Sequence, residues 1–310
     1  MPNLSYPRPY GAYVLLEPLG QGGMSEVELA RRTVDESSFV RFLVIKRIRA
    51  LHVEDESFIR MFQDEARINA ELQHENIAQV YDFGRVNDEF FIAMEFVPGL
   101  DLRALQIKLA NTGQTLPLNL ALRIIIDLLA GLEYAHSRVD TFGKPMRIVH
   151  RDVNPRNVML SVRGEVKLID FGVAKADTRS HHTVGHAIKG KYAYMAPEQI
   201  DDTLRVDGRA DLYAAGLLLH ELVAGAHPLS GLNEVQIMHR VLAGELPELP
   251  FCHNFQPDSL RDVQQKALCT DRDQRFGSAE EMRRALIKSA EELGPLASSS
   301  ALAAFVQDVS

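Results

Sequence analysis

Only two cysteines, Cys252 and Cys269, occur in 310 residues. They have neither the spacing of a metal knuckle nor the number for a disulfide framework, which fits a reducing compartment. Basic residues are not in excess. The net charge is −8, so overall electrostatics gives no support to a nucleic-acid partner. Long apolar runs are also missing, since crossing a bilayer takes about 18 or more such residues. The richest stretch, Leu212 to Ala224, is shorter and carries His220 and Glu221, so it reads as a buried core helix. Met1 to Pro9 lacks the charged-then-apolar build of a signal peptide. No internal repeat is visible. These absences lead to the expectation of a cytoplasmic chain with no membrane partner.

What is present is balanced. With 46% hydrophobic and 25% charged residues, the chain can bury one large core or two smaller ones. Ala12 to Leu19 is β-prone and runs into Gly20-Gln21-Gly22-Gly23-Met24-Ser25, after which Glu26 to Ala30 alternates like a half-buried strand. Glycines in such a turn let backbone N–H groups approach phosphates closely. A plain hairpin turn has the same signature. In a dinucleotide fold the glycines would open a helix; here a strand follows, which favours a lid over a nucleotide.

Phe39 to Ile48 forms the next strand, with Lys46 inside its apolar run. Alone, such a lysine also suits an edge strand guarded against aggregation. Ser57 to Leu72 has helical spacing, with Phe58, Phe62, Ile68 and Leu72 on one stripe. Glu65 lies seven residues from both Phe58 and Leu72 and so falls on that stripe. An acid there needs a cation, because an unpaired buried charge is costly. Lys46 and Glu65 explain each other as an ion pair.

Phe90 to Phe96 is an apolar strand, and Val97-Pro98-Gly99 reads as a hinge. Helical spacing follows from Asp101, and Leu120, Ile124, Ile125, Leu128, Leu129 and Leu132 mark a long helix up to His136. After a polar loop comes His150-Arg151-Asp152-Val153-Asn154-Pro155-Arg156-Asn157, then a hairpin turning at Arg163-Gly164, then Asp170-Phe171-Gly172. Two acids and an amide at this spacing suit metal-assisted phosphoryl transfer. Asp152 would take a proton from an attacking hydroxyl, while Asn157 and Asp170 would hold Mg²⁺. The polar, hydroxyl-rich stretch Asp177 to Gly190 leads to Ala196-Pro197-Glu198, and helices fill most of the chain to about Ala290. Leu302, Phe305 and Val306 recur at helical spacing in the tail, which packs on the body or docks elsewhere.

In this order the motifs resemble those of the eukaryotic-like (Hanks-type) serine/threonine protein kinases of bacteria, from about Tyr10 to Ala290. The resemblance implies an α+β, two-lobed protein-kinase-like fold. It would have a leader (1–9), a small β-rich N-lobe (10–95), a hinge (95–99), a larger helical C-lobe (100–290) and a tail (291–310) with a short helix. It implies an ATP site of Leu19, Gly20, Gln21, Gly22, Gly23, Met24, Ser25, Glu26 and Val27 over the nucleotide. Val44, gatekeeper Met94, the backbone of Glu95 and Val97, and Met159 complete it. Lys46, paired with Glu65, would bind the α/β-phosphates. Asp152 would be the catalytic base, with Asn157 and Asp170 on Mg²⁺ or Mn²⁺. Glu198 would pair with Arg275, and Asp211 would brace the backbone of the catalytic loop. Arg151 and Lys175 would form a cationic pocket for a phosphate on Thr183, with Thr178 and Ser180 in reserve.

The implied activity is transfer of the γ-phosphoryl group of ATP to Ser/Thr hydroxyls of proteins, with autophosphorylation, homodimerisation during that step and a bacterial signalling role. The alternative is a pseudokinase, a nucleotide-binding scaffold.

Four places depart from the family. Asn154 stands where a lysine is usual, and Gly190-Lys191 where Gly-Thr is usual, so the cation has either moved to Lys191 or been lost. Val44 replaces a usual alanine and would tighten the adenine pocket. Asn69, four residues after Glu65, either loosens its helix or finds a backbone partner, the second being favoured. His181, His182 and His186 read as solvated loop histidines rather than a metal site.

Overall fold

The computed structural model describes residues 6–21, 25–33, 41–48, 56–171, 191–201, 205–251 and 256–309, apart from the side chains of Gln21, Ser57 and Lys191. The fold is α+β, and the described chain divides into two units. One is built mainly of strands. The other comprises His74–Ile77 and the described residues from Pro98 onward.

The first unit contains β1 (Arg8–Tyr10), β2 (Tyr13–Gln21), β3 (Ser25–Arg32), β4 (Phe42–Ile48), α1 (Glu56–Ala70), β5 (Val80–Val86) and β6 (Glu89–Glu95). Its antiparallel sheet has the order β1-β2-β3-β4-β6-β5. Strand β4 is therefore interior, and the edge-strand explanation of Lys46 falls away. Successive side chains point to opposite faces of a strand, so Val44, Lys46 and Ile48 share one face of β4. There Ile48 and Ile92 pack with Phe62 and Ala66 of α1. Leu43 and Ile45 lie on the other face, in a core with Tyr10, Tyr13, Leu15, Ala30, Phe91 and Ala93.

A charged cluster sits beside that second core. Arg47 donates to Glu28 at 2.7 Å, Glu26 at 2.8 Å and Glu89 at 2.6 Å. Glu28 also accepts from Tyr6 and Arg8. Burial pushes the Glu28 pKa up, but the bonds from Arg47, Tyr6 and Arg8 outweigh it and hold the carboxyl below its ordinary value. The cluster fastens the segment around β1 to the back of β4.

The second unit begins with β7 (Gly99–Asp101), α2 (Leu102–Thr112) and α3 (Leu118–His136). Next come β8 (Val158–Ser161), β9 (Val166–Leu168), α4 (Pro197–Ile200) and α5 (Arg209–Ala224). The last helices are α6 (Glu234–Ala243), α7 (Asp258–Ala267), α8 (Ala279–Glu291) and α9 (Ser299–Val309). Asp101 caps α2 by accepting from the Ala104 N–H at 2.7 Å. Helix α5, the richest apolar stretch, is buried along nearly its whole length. No helix among the described residues is long and apolar enough to cross a membrane.

The tail packs on this unit. Leu302 and Val306 of α9 are fully buried. Arg123 donates to Ala297 O and Ser299 Oγ, Gln307 donates to Val162 O, and Lys108 Nζ caps the helix at Val309 O. Gly164 serves both the β8–β9 turn (φ 79°) and this docking, since a Cβ there would lie 1.8 Å from Ser299 O. Leu302→Ala should lower the unfolding free energy by about 2–4 kcal/mol through the cavity it leaves, and Gly164→Ala should also destabilise. Denaturant midpoints check both; unchanged midpoints would mean that α9 does not pack there in solution.

His227, after α5, accepts from the Leu229 N–H on Nδ1 and donates from Nε2 to Ala193 O. Burial pushes its pKa from 6.5 down to about 4. Between those values the unfolded chain binds more protons than the folded one, so stability must rise with pH across this window. The group should destabilise the fold by up to about 3 kcal/mol at pH 4 relative to pH 7. Equilibrium unfolding at the two pH values should show His227→Gln with a smaller loss than wild type; equal losses would exclude this role.

Candidate active site

The catalytic loop is built on buried apolar anchors: Ile148 and Val149 lead into it, and Val153 and Pro155 pin its middle. His150 is wholly buried, packs against Phe171 with tilted rings 4.6 Å apart, and its Nε2 donates to Ile169 O at 3.1 Å. Its Nδ1 accepts the Asp152 N–H at 3.3 Å, which fixes the neutral tautomer.

Asp211, near the start of α5, is buried. Its two oxygens accept the N–H groups of His150 at 2.8 Å and Arg151 at 2.7 Å, and Oδ2 also meets His136 Nε2 at 2.8 Å. Burial raises its pKa, but the His136 bond and the loop N–H groups prevail, and the carboxyl lies below its ordinary value. Arg151 is held at φ 65°.

Asn157 Nδ2 donates to Asp152 O at 2.8 Å and to Asp152 Oδ2 at 2.9 Å. This commits the nitrogen to the aspartate and leaves Asn157 Oδ1 as an oxygen donor. The Ile169 N–H donates to Asn157 O at 3.0 Å, tying the loop to the residue before Asp170, itself at φ 57°. An amide oxygen and a carboxylate are hard oxygen ligands, and that donor chemistry fits Mg²⁺.

Glu198 and Arg275 meet through two bonds, at 2.7 and 2.8 Å. Both are buried, and Arg275 further donates to the carbonyls of Cys269, Thr270 and Arg209. Two supports were not foreseen from sequence: His136 on Asp211, and Gln199, whose Nε2 donates to Arg151 O at 3.0 Å. Gln199 also accepts the Ala196 N–H, and with alanine at the N-cap no capping-box signature marked it in the sequence.

In the strand-built unit, Lys46 Nζ meets Glu65 Oε1 at 2.6 Å. The pairing follows from β4 presenting Lys46 to the face that α1 covers. In register, Val27 lies opposite Lys46, while Val44 lies opposite Leu29 on one side and Met94 on the other. Asn69 is buried and donates to Glu65 O at 2.8 Å, so the favoured backbone partner is found and the helix is closed around Glu65. The Glu95 N–H is taken by Gln79 O at 2.8 Å. Glu26 stands apart: its side chain pairs with Arg47, on the face opposite Lys46. Leu19 and Gly20 are exposed in β2, Ser25 opens β3, Val97 is buried, and Met159 is half-buried in β8. Gly22, Gly23, Met24, Gly172, Lys175, Thr178, Ser180, His181, His182, Thr183 and His186 lie outside the described residues, as do the side chains of Gln21 and Lys191.

Comparison with known proteins agrees with this arrangement. Residues 13–287 match the family model described as a protein kinase domain. The tyrosine-protein kinase MasK of Myxococcus xanthus is 37% identical over 279 residues, covering 90% of this chain and 43% of that protein. The serine/threonine-protein kinase PrkC of Bacillus subtilis is 32% identical over 272 residues, covering 88% of this chain and 39% of that protein. The chain thus spans about two fifths of the length of these curated relatives. The crystal structure of the Mycobacterium tuberculosis PknI kinase domain superposes with a TM-score of 0.66 at 30% identity, covering 93% of this chain and 99% of that one. The chain belongs to the protein kinase family, among the eukaryotic-like serine/threonine protein kinases of bacteria.

Proposed function

We propose that the chain is an active kinase that transfers the γ-phosphoryl group of ATP to Ser/Thr hydroxyls of proteins, in a cytoplasmic signalling role. The observation that carries this reading is the tie between Asp152 and Asn157, with Asp170 beyond it. Asp152 accepts the proton of the attacking hydroxyl. Asn157 and Asp170 would hold Mg²⁺, which offsets charge on the phosphates. Lys46, fixed by Glu65, steadies the α/β-phosphates. Val27, Val44 and Met94 belong to one sheet face and supply apolar surface for the adenine.

Activation would proceed by autophosphorylation of Thr183, with Thr178 and Ser180 as further sites, in a transient homodimer. Arg151 and Lys175 would receive the phosphate. Lys191 would carry the positive charge that Asn154 lacks, offsetting charge on the transferring group.

Two other readings have specific support. The similar kinase MasK is named for tyrosine, which favours testing tyrosine acceptors. The absent catalytic-loop lysine favours a nucleotide-binding scaffold.

Purified protein with labelled ATP and Mg²⁺ separates these. Wild type should transfer label to a generic protein substrate, and Asp152→Asn should reduce the rate at least about a hundredfold with ATP binding kept. No transfer with intact ATP binding supports the scaffold. Phosphoamino-acid analysis should recover phosphoserine and phosphothreonine, whereas phosphotyrosine alone overturns the proposed acceptor. Peptide mapping should place phosphate on Thr183; active protein unmodified at all three hydroxyls ends the activation proposal. Lys191→Ala should lower kcat about tenfold or more. A wild-type kcat in Lys191→Ala excludes the relocated cation.

A further inference from the structure

The residue that replaces the family's lysine has its own bonds. Asn154 is half-buried, at φ −158° and ψ 168°, the extended conformation favoured before proline. Its Oδ1 accepts the Arg156 N–H at 2.9 Å, and its Nδ2 donates to Asp152 O at 2.8 Å. The same Asp152 carbonyl accepts from Asn157 Nδ2, and the Asn157 N–H donates to Asn154 O at 3.0 Å. Three consecutive points of the loop, the base, the turn and the metal-binding amide, are thus closed onto one another through position 154.

A lysine offers donors only. It would leave the Arg156 N–H without its side-chain acceptor at the start of the turn Pro155–Asn157. An asparagine supplies both the acceptor and the donor within two residues on either side, a geometry asparagine favours in turns.

We propose that Asn154 is a positioning residue: its amide ties Asp152 O to the Arg156 N–H and so holds the base and Asn157 in register. It touches neither substrate nor metal and acts through Asp152. In this chain the position contributes rigidity of the loop where relatives place charge. The role rests on the kinase reading and is separate from any relocation of charge to Lys191.

The test compares wild type, Asn154→Ala and Asn154→Ser. Serine keeps an oxygen acceptor for the Arg156 N–H, whereas alanine keeps neither bond. The readouts are kcat and KM for ATP, together with hydrogen exchange of the Arg156 amide in the unliganded protein. Asn154→Ala should lower kcat about tenfold with KM for ATP unchanged, because a small displacement of a reacting group is felt mainly in the chemical step. Its Arg156 amide should exchange faster, and Asn154→Ser should restore both properties to within about threefold of wild type.

Unchanged kcat in Asn154→Ala overturns the positioning role, even with faster exchange. A lower kcat with unchanged exchange also overturns it, since the residue would then act by another route. Equal impairment of the serine and alanine variants overturns the acceptor argument. Asn154→Gly, well tolerated at caps, replaces the alanine variant if that one does not fold. Exchange is measured without turnover, so an inactive wild type refutes the kinase reading while still reporting on the tie.

Discussion

The catalytic loop depends on one buried carboxylate. Asp211 accepts two successive backbone N–H groups, from His150 and Arg151, and pairs with His136. A residue with a side chain is disfavoured at positive φ by about 1–2 kcal/mol, yet Arg151 stands at φ 65°. The bonds that Asp211 accepts from the N–H groups of His150 and Arg151 offset that preference. Removing the carboxylate would leave buried N–H groups unsatisfied and release the turn at once. Because Asp211 lies within α5, the most buried helix, the loop inherits the rigidity of the core. Glu198 and Arg275 extend the same logic, linking α4 to the carbonyls around Cys269 and Arg209.

Much of this was legible from residue types and spacing. The apolar run from Phe39 to Ile48 placed Lys46 within a strand, and helical spacing placed Glu65 on a buried stripe; only a pairing satisfies both. Helix α3, the turn at Arg163–Gly164 and the apolar stripe of α9 were equally readable, since each rests on local periodicity or a glycine. What stayed hidden depends on contacts between distant residues. Nothing near Glu28 in sequence indicates Arg47, Arg8 and Tyr6 as its partners. His136 ended a helix and gave no sign of meeting Asp211, 75 residues later. Asn154 was visible as a missing lysine, but a sequence shows what a residue is not more readily than which backbone atoms it bonds.

Strand β4 carries Lys46 and Arg47 side by side in sequence and on opposite faces in space. Lys46 pairs with Glu65 of α1, and Arg47 pairs with three carboxylates from β3 and β6. The two faces therefore tolerate change differently. Losing Arg47 would strand several acids against an apolar core, so that position is constrained by electrostatic neutrality. The same constraint limits how the face of the strand that bears Lys46 can drift, because shifting β4 by one residue would exchange the two cations. Register errors in this strand are thus opposed by charge as well as by hydrophobic pattern, a form of proofreading written into adjacent residues.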